Sequence, residues 1–234
     1  MAFKSINLSK YTSIITYFIH IPSENSLVKP IVVEASADCI LKEMMQAEYR
    51  EHNLIVYPDL TVLTEIYSRY FKTSLENKSE FILFLSTYQN VIKVKNLLGD
   101  VDLDVSKYEE NGSLVILDSV RGYFGSESDV LALIKILSKR AQNQGSLGSC
   151  VFADMGLFNL FRKQEDLLRY EVSMPSKFDG YVSTPILCKT FCLYHKSDFS
   201  RLAEREKELL FEHHYRNLII RENDVKNQLL SITI

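Results

Sequence analysis

Apolar and polar positions along the chain alternate between two rhythms. Asn53-Leu54-Ile55-Val56-Tyr57 is a short unbroken apolar run, the signature of a buried strand, and Leu60, Leu63, Ile66, Tyr67, Tyr70, Phe71 and Leu75 then recur at helical spacing. The pair repeats, with a strand expected over Glu80 to Ser86 and a helix marked by Val91, Val94, Leu97 and Leu98 that stops at Gly99. A third strand is predicted at Ser113 to Leu117, ended by Asp118, with a helix over Ser128 to Gln142 whose Lys139 and Arg140 suit the negative end of its dipole. Ser149 to Ala153 reads as a fourth strand ending at Asp154, followed by one amphipathic stretch from Phe158 to Tyr170. Pro185 to Tyr194 reads as a fifth strand, and Phe199 to His214 as a helix with a solvated Arg-Glu-Lys face.

This order, strand then helix five times over, predicts an α/β fold with a mostly parallel sheet covered by helices on both faces. The first 45 residues read differently. Tyr11 to Ile21 and Ile31-Val32-Val33 flank a Pro22 to Pro30 loop and suggest a hairpin, with a short helix from about Ala37 to Glu48. Residues 1–45 are therefore expected to be an N-terminal appendage and a candidate dimerisation element, 46–221 the α/β domain, and 222–234 a C-terminal tail. A homodimer is expected, because an unpaired hairpin is rarely stable alone.

Composition narrows the functional classes. Of 234 residues 46% are hydrophobic and 24% charged, as in an ordinary globular protein, and 27 basic against 30 acidic side chains give a net charge of -3. No global positive field favours a nucleic-acid backbone, so direct nucleic-acid binding is not expected. No apolar run approaches a membrane span and no signal sequence is evident, so a cytoplasmic location is expected. Cys39, Cys150, Cys188 and Cys192 have no disulfide-framework spacing and read as reduced thiols. Cys188, Cys192 and His195 invite a zinc reading, yet residues four apart on a strand lie about 13 Å from each other. That reading is rejected as long as the segment is a strand, and no metal is expected.

In parallel sheets ligands bind beyond the carboxyl ends of the strands. The rule gathers Tyr57 to Asp59, Ser86 to Gln89, Asp118 to Arg121, Asp154 to Gly156 and Tyr194 to Asp198 on one rim. Tyr57 offers a ring and a hydroxyl there, or packs on the next helix. Arg121 is the best rim cation for an anionic ligand, with a structural ion pair as the alternative.

The order and spacing of several elements carry a family resemblance: His52 followed by Tyr57, the strands ending at Asp118 and at Asp154-Met155, Tyr170-Glu171, Cys192-Leu193-Tyr194, and the stretch from His213-His214 to Ile219-Ile220. Over residues 46 to 221 the chain resembles the MEDS (methanogen/methylotroph, DcmR-type) sensory domain, a KaiC/RecA-like relative, which implies a three-layer sandwich and a sensing role in archaeal or bacterial signalling or transcription control. The resemblance makes His52 a pocket candidate, whereas on residues alone a lone histidine is a structural one. Glu171 matches the family's Tyr-Glu pair, though a surface acid or ion-pair partner is the simpler account. Adjacent His213 and His214 point in different directions from a helix, so at most one faces any given site.

Where a RecA-like ATPase carries a Gly-rich loop, a Lys and a Ser or Thr, this chain has Tyr57-Pro58-Asp59-Leu60-Thr61-Val62-Leu63. Pro58 lacks a donor and Asp59 repels phosphate. Thr87-Tyr88-Gln89-Asn90 stands where KaiC-type ATPases tend to carry water-activating acids, and Asp154, at the place of a magnesium carboxylate in active relatives, reads as a pocket or capping residue rather than a metal ligand. The expectation is a non-catalytic sensory or regulatory domain without a cofactor, binding a small molecule or a signalling protein. The candidate ligand-binding residues are His52, Tyr57, Ser86, Asp118, Arg121, Asp154, Glu171 and Tyr194. The alternatives are a nucleotide-binding relative with an altered phosphate site and a purely structural interaction module.

Overall fold

Unbroken apolar strands need cover on both faces, and the fold supplies it. In the computed structural model, which describes residues 30–77, 80–124, 130–173 and 187–222, seven strands form one sheet. They are β1 (Ile31–Ala35), β2 (His52–Tyr57), β3 (Phe81–Ser86), β4 (Leu114–Asp118), β5 (Ser149–Asp154), β6 (Cys188–His195) and β7 (Arg216–Ile220). Their order is β1-β7-β2-β6-β5-β3-β4, and every neighbouring pair is parallel. The connecting helices are α1 (Ala37–Gln46), α2 (Leu60–Asn77), α3 (Val91–Gly99), α4 (Val105–Glu110), α5 (Ser119–Phe124), α6 (Val130–Asn143), α7 (Gly156–Leu160), α8 (Gln164–Ser173), α9 (Lys196–Phe199) and α10 (Glu204–His213). β2, β3 and β5 are buried at every residue, as interior strands covered on both faces must be. The result is the expected three-layer α/β sandwich.

The two faces of the sheet differ. On one, Tyr70 and Phe71 of α2 meet Phe84, Phe152 and Phe191 with ring centroids 4.9 to 5.7 Å apart, and Ile40 and Met44 of α1 extend that core. On the other, Leu54, Val56, Leu83 and Val151 pack beneath Ile134, Leu137 and Leu210 of α6 and α10.

Several boundaries differ from the sequence reading. Ile31–Ala35, expected as one arm of a hairpin, pairs in parallel with β7 at the edge of the sheet. With α1 packed into the aromatic core, residues 31–46 are built into the sandwich. The arm at Tyr11 to Ile21, residues 125–129 before α6, Pro185 and the tail from 223 onward lie outside the described residues. β7 is an additional strand, inserted between β1 and β2; Arg216-Asn217 at its start breaks the apolar run that marks its neighbours. The stretch Phe158 to Tyr170 divides into α7 and α8 because the chain turns into the left-handed region at Arg162 (φ 54°). There Lys163 N–H donates to Phe158 C=O and Arg162 N–H to Asn159 C=O, the paired bonds of a Schellman stop. The helix predicted from Phe199 divides as well, α9 ending at Phe199 and α10 beginning at Glu204.

Candidate functional site

The rim closes on itself. Only Pro58 and Asp59 separate β2 from α2, and Asp59 Oδ1 accepts from the N–H groups of Thr61 (2.8 Å) and Val62 (3.0 Å). The donors that a phosphate loop would turn toward a ligand are thus taken by the chain's own carboxylate. Asp154 does the same two strands across the sheet, at the end of β5, accepting from Thr87 N–H at 3.1 Å, Tyr88 N–H at 3.3 Å and Gly156 N–H at 3.0 Å. Burial pushes its carboxyl up to about 6 against the pull of those three bonds. Ser86 Oγ donates to Gln89 C=O at 2.7 Å, and Tyr57 is fully buried with its ring edge-on to His195.

Tyr88 lies across Gly156 so closely that a Cβ there would sit 2.2 Å from the ring, and its hydroxyl donates to Asp198. Asp118 is exposed and caps α5 by accepting from Val120 N–H; Arg121 is exposed on the same outer element. These two stay at the β4 edge and do not join the other candidates. A small cleft opens at the rim between Met155, Gly156, Asn159, Tyr194, His195 and Asp198.

Three of the predicted residues do converge, but beneath the sheet. Strand alternation sends His52 of β2 and Cys192 and Tyr194 of β6 to the α8/α10 face, in a register that sets Leu54 beside Cys192. Glu171 descends from α8, and His214, the residue that closes α10, turns in from the side. Tyr194 Oη donates to Glu171 Oε1 at 2.5 Å. Around the other carboxylate oxygen, Oε2, stand His52 Nε2 at 3.4 Å, His214 Nε2 at 3.6 Å and Cys192 Sγ at 3.7 Å, while His52 Nε2 and Cys192 Sγ are 3.1 Å apart. His52, Glu171, Cys192 and His214 are each at most 2% exposed. Glu171, a pocket candidate for which a surface acid or ion-pair partner is the simpler account from sequence, is at the centre of a buried cluster. These four residues could hold a metal ion.

The electrostatics follow from burial without a fixed cation. Burial, then the facing His52, drives the pKa of His214 down to about 3, so at neutral pH it is an uncharged imidazole. Its Nδ1–H lies 2.6 Å from Leu210 C=O, which directs the lone pair of Nε2 into the cluster, where that atom has no hydrogen-bond partner among the described residues. Burial alone would raise the Glu171 carboxyl; the neighbouring imidazoles and the bonds from His52 and Tyr194 reverse that and hold it well below the usual carboxylate range. Burial, and after it the Glu171 charge, pushes the Cys192 thiol far up.

Cys192 and His214 were missing from the sequence-derived set of candidates. Cys192 was weighed with Cys188 and His195, the wrong partners: Cys188 shares its face but lies outside the cluster, and His195 is at the rim. The true partners are brought in by the pairing of β2 with β6 and by the packing of α8 on α10, which no local spacing encodes.

An all-parallel sheet wrapped by helices, with the β2–α2 crossover capped by a carboxylate in place of a phosphate loop, is a RecA-like α/β fold. The chain belongs to the MEDS family: the profile described as MEthanogen/methylotroph, DcmR Sensory domain matches residues 51–208. Among solved structures it is similar to PH0321, an uncharacterized protein from Pyrococcus horikoshii crystallised in complex with an unknown peptide, at 17% identity and a TM-score of 0.51, covering 80% of this chain and 84% of that one. The KaiC-like protein PH0186 from Pyrococcus horikoshii OT3 aligns at 14% identity and a TM-score of 0.48, over 76% of each chain. No curated protein sequence matches the chain. Among the described residues no helix is long and apolar enough to cross a membrane.

Proposed function

We propose that this domain is a non-catalytic sensory or regulatory module that receives a small molecule or a protein partner. The family supports a sensory role, and one observation above all supports the absence of nucleotide chemistry: Asp59 holds the α2 N-terminal donors that would otherwise face a phosphate. A triphosphate entering there would meet a carboxylate and break two capping bonds, and no lysine stands between Tyr57 and Leu63 to offset the repulsion. The cleft beside Tyr194 is the natural entrance for a signal, because Tyr194 lines it and holds Glu171 through its hydroxyl. Binding there would reposition α8 relative to the sheet.

Calorimetric titration with ATP and magnesium tests this reading. No binding is expected; micromolar binding that is lost in Asp154→Ala would show a working nucleotide site and overturn it. A screen of simple organic compounds by thermal unfolding should raise the melting temperature for the recognised class, since a ligand that binds only the folded state stabilises it by mass action.

A further inference from the structure

We propose that His52, Glu171, Cys192 and His214 form a closed tetrahedral site for a divalent transition metal of the zinc class. The inference stands apart from the sensory reading, since it concerns the face of the sheet beneath the rim and holds whether or not the cleft takes a ligand.

The geometry is that of a site formed in advance. Zinc bonds of about 2.0 Å to nitrogen or oxygen and about 2.3 Å to sulfur put tetrahedral ligand atoms about 3.3 to 3.7 Å from each other. The contacts among these four side chains are 3.1, 3.4, 3.6 and 3.7 Å, and the four ligand atoms all lie within 4.8 Å of one another. The chemistry agrees. Two imidazoles, a sulfur and a single carboxylate suit zinc or cobalt(II), whereas calcium and magnesium require mostly oxygen ligands.

Further observations point to a site for a cation. His214 Nε2, on a side chain 1% exposed, is aimed at the cluster with no hydrogen-bond partner among the described residues. Its other nitrogen is already bound to Leu210 C=O, the supporting contact that metal-ligating histidines use to fix ring and tautomer. Tyr194 plays the same part for Glu171, holding Oε1 so that Oε2 faces the ring nitrogens and the sulfur. Among the described residues no lysine or arginine is paired with Glu171. As the metal–sulfur bond forms, the Cys192 thiol gives its proton to solvent, and thiolate plus carboxylate then balance the charge of the ion. With four protein ligands and no open position, the metal would tie α8 and the end of α10 to two interior strands.

The test uses the full chain purified under reducing conditions, both as isolated and after chelation and reloading with zinc or cobalt(II). Near-stoichiometric metal is expected, with a melting temperature that falls on chelation and returns with zinc. The cobalt form should show the intense visible bands of a tetrahedral ion and a thiolate charge-transfer band. Cys192→Ala should abolish the charge-transfer band. His214→Ala should weaken zinc binding by at least about 100-fold, the upper end of what loss of a mere supporting contact costs. If either variant fails to fold by circular dichroism, X-ray absorption fine structure of the wild-type zinc form decides: one sulfur and three nitrogen or oxygen neighbours are required, and none or two sulfurs would overturn the assignment. So would a folded wild-type protein that takes up neither zinc nor cobalt, or binding left unchanged in both folded variants.

Discussion

Two carboxylates are buried on opposite faces of the same sheet, and the protein treats them differently. Glu80, beneath the aromatic face, sits 2.9 Å from the Lys189 ammonium, with both side chains at most 3% exposed. Its oxygens also accept from Tyr49 Oη at 2.7 Å and Tyr70 Oη at 3.3 Å, and Lys189 donates to Ala47 C=O. Charge and hydrogen bonds are both satisfied there. Glu171, beneath the other face, has Tyr194 on one oxygen and two imidazoles and a thiol around the other, with no ammonium or guanidinium among the described residues. A buried ion pair of the first kind holds two elements in register. A buried carboxylate of the second kind, ringed by lone-pair donors, is arranged for a cation that the chain does not itself supply.

The largest effect should come from unbalancing the satisfied side. Lys189→Met leaves Glu80 buried without a partner and should cost about 3 to 5 kcal/mol, read by urea denaturation, because removal of one partner strands the other charge. Adding Glu80→Gln in the same chain should recover most of the loss. If the single variant loses less than about 1 kcal/mol, water reaches Glu80 and the contrast between the faces fails.

A third buried carboxylate sharpens the comparison, because Asp154 is held by three backbone N–H groups and no side-chain cation. Its folded-state pKa lies near 6, above the 3.8 of an ordinary aspartate. Between those pH values the folded protein keeps a proton that the unfolded chain has lost, so stability falls as pH rises from about 4 to about 6. Relative to Asp154→Asn, which cannot titrate, the wild type should lose on the order of 3 kcal/mol across that window, measured by denaturation midpoints at each end. A flat or opposite difference would mean that the three N–H groups outweigh desolvation.

These contrasts were unevenly visible in the chain. The interior strands and α2 were legible because His52 to Tyr57, Phe81 to Ser86 and the Leu60 to Leu75 pattern have the periods that burial on both faces and on one face demand. The missing phosphate loop was legible residue by residue, and Asp59 as its replacement follows directly from Tyr57-Pro58-Asp59. β7 was not, because its first two residues are Arg216 and Asn217 and its burial comes from two neighbours distant in sequence. The cluster was half legible. His52, Glu171 and Tyr194 stand out in the sequence, but placing them requires the β2–β6 register, and no local spacing ties Cys192 or His214 to them. A cluster drawn from residues 52, 171, 192 and 214 exists only after the sheet has closed.

The smallest effect is read as a difference between two conditions. Glu171→Gln keeps the shape of the side chain and lets its carbonyl oxygen accept from Tyr194, while its amide N–H can reach the unpaired His214 Nε2. In metal-free protein the fold favours the ionised carboxyl, so the substitution should cost about 1 kcal/mol: it gives up charge-assisted bonds from His52 and Tyr194 and gains a neutral one to His214. The same variant should lose the stabilisation that zinc gives the wild type, because an amide oxygen brings no negative charge to the ion. Denaturation of both proteins in chelator and in zinc reads the two effects side by side. A loss of about 3 kcal/mol or more in chelator would place a fixed positive charge beside Glu171 and make the two faces of the sheet alike. A small loss in chelator with a much larger loss in zinc would show that the carboxylate serves chiefly the ion it binds.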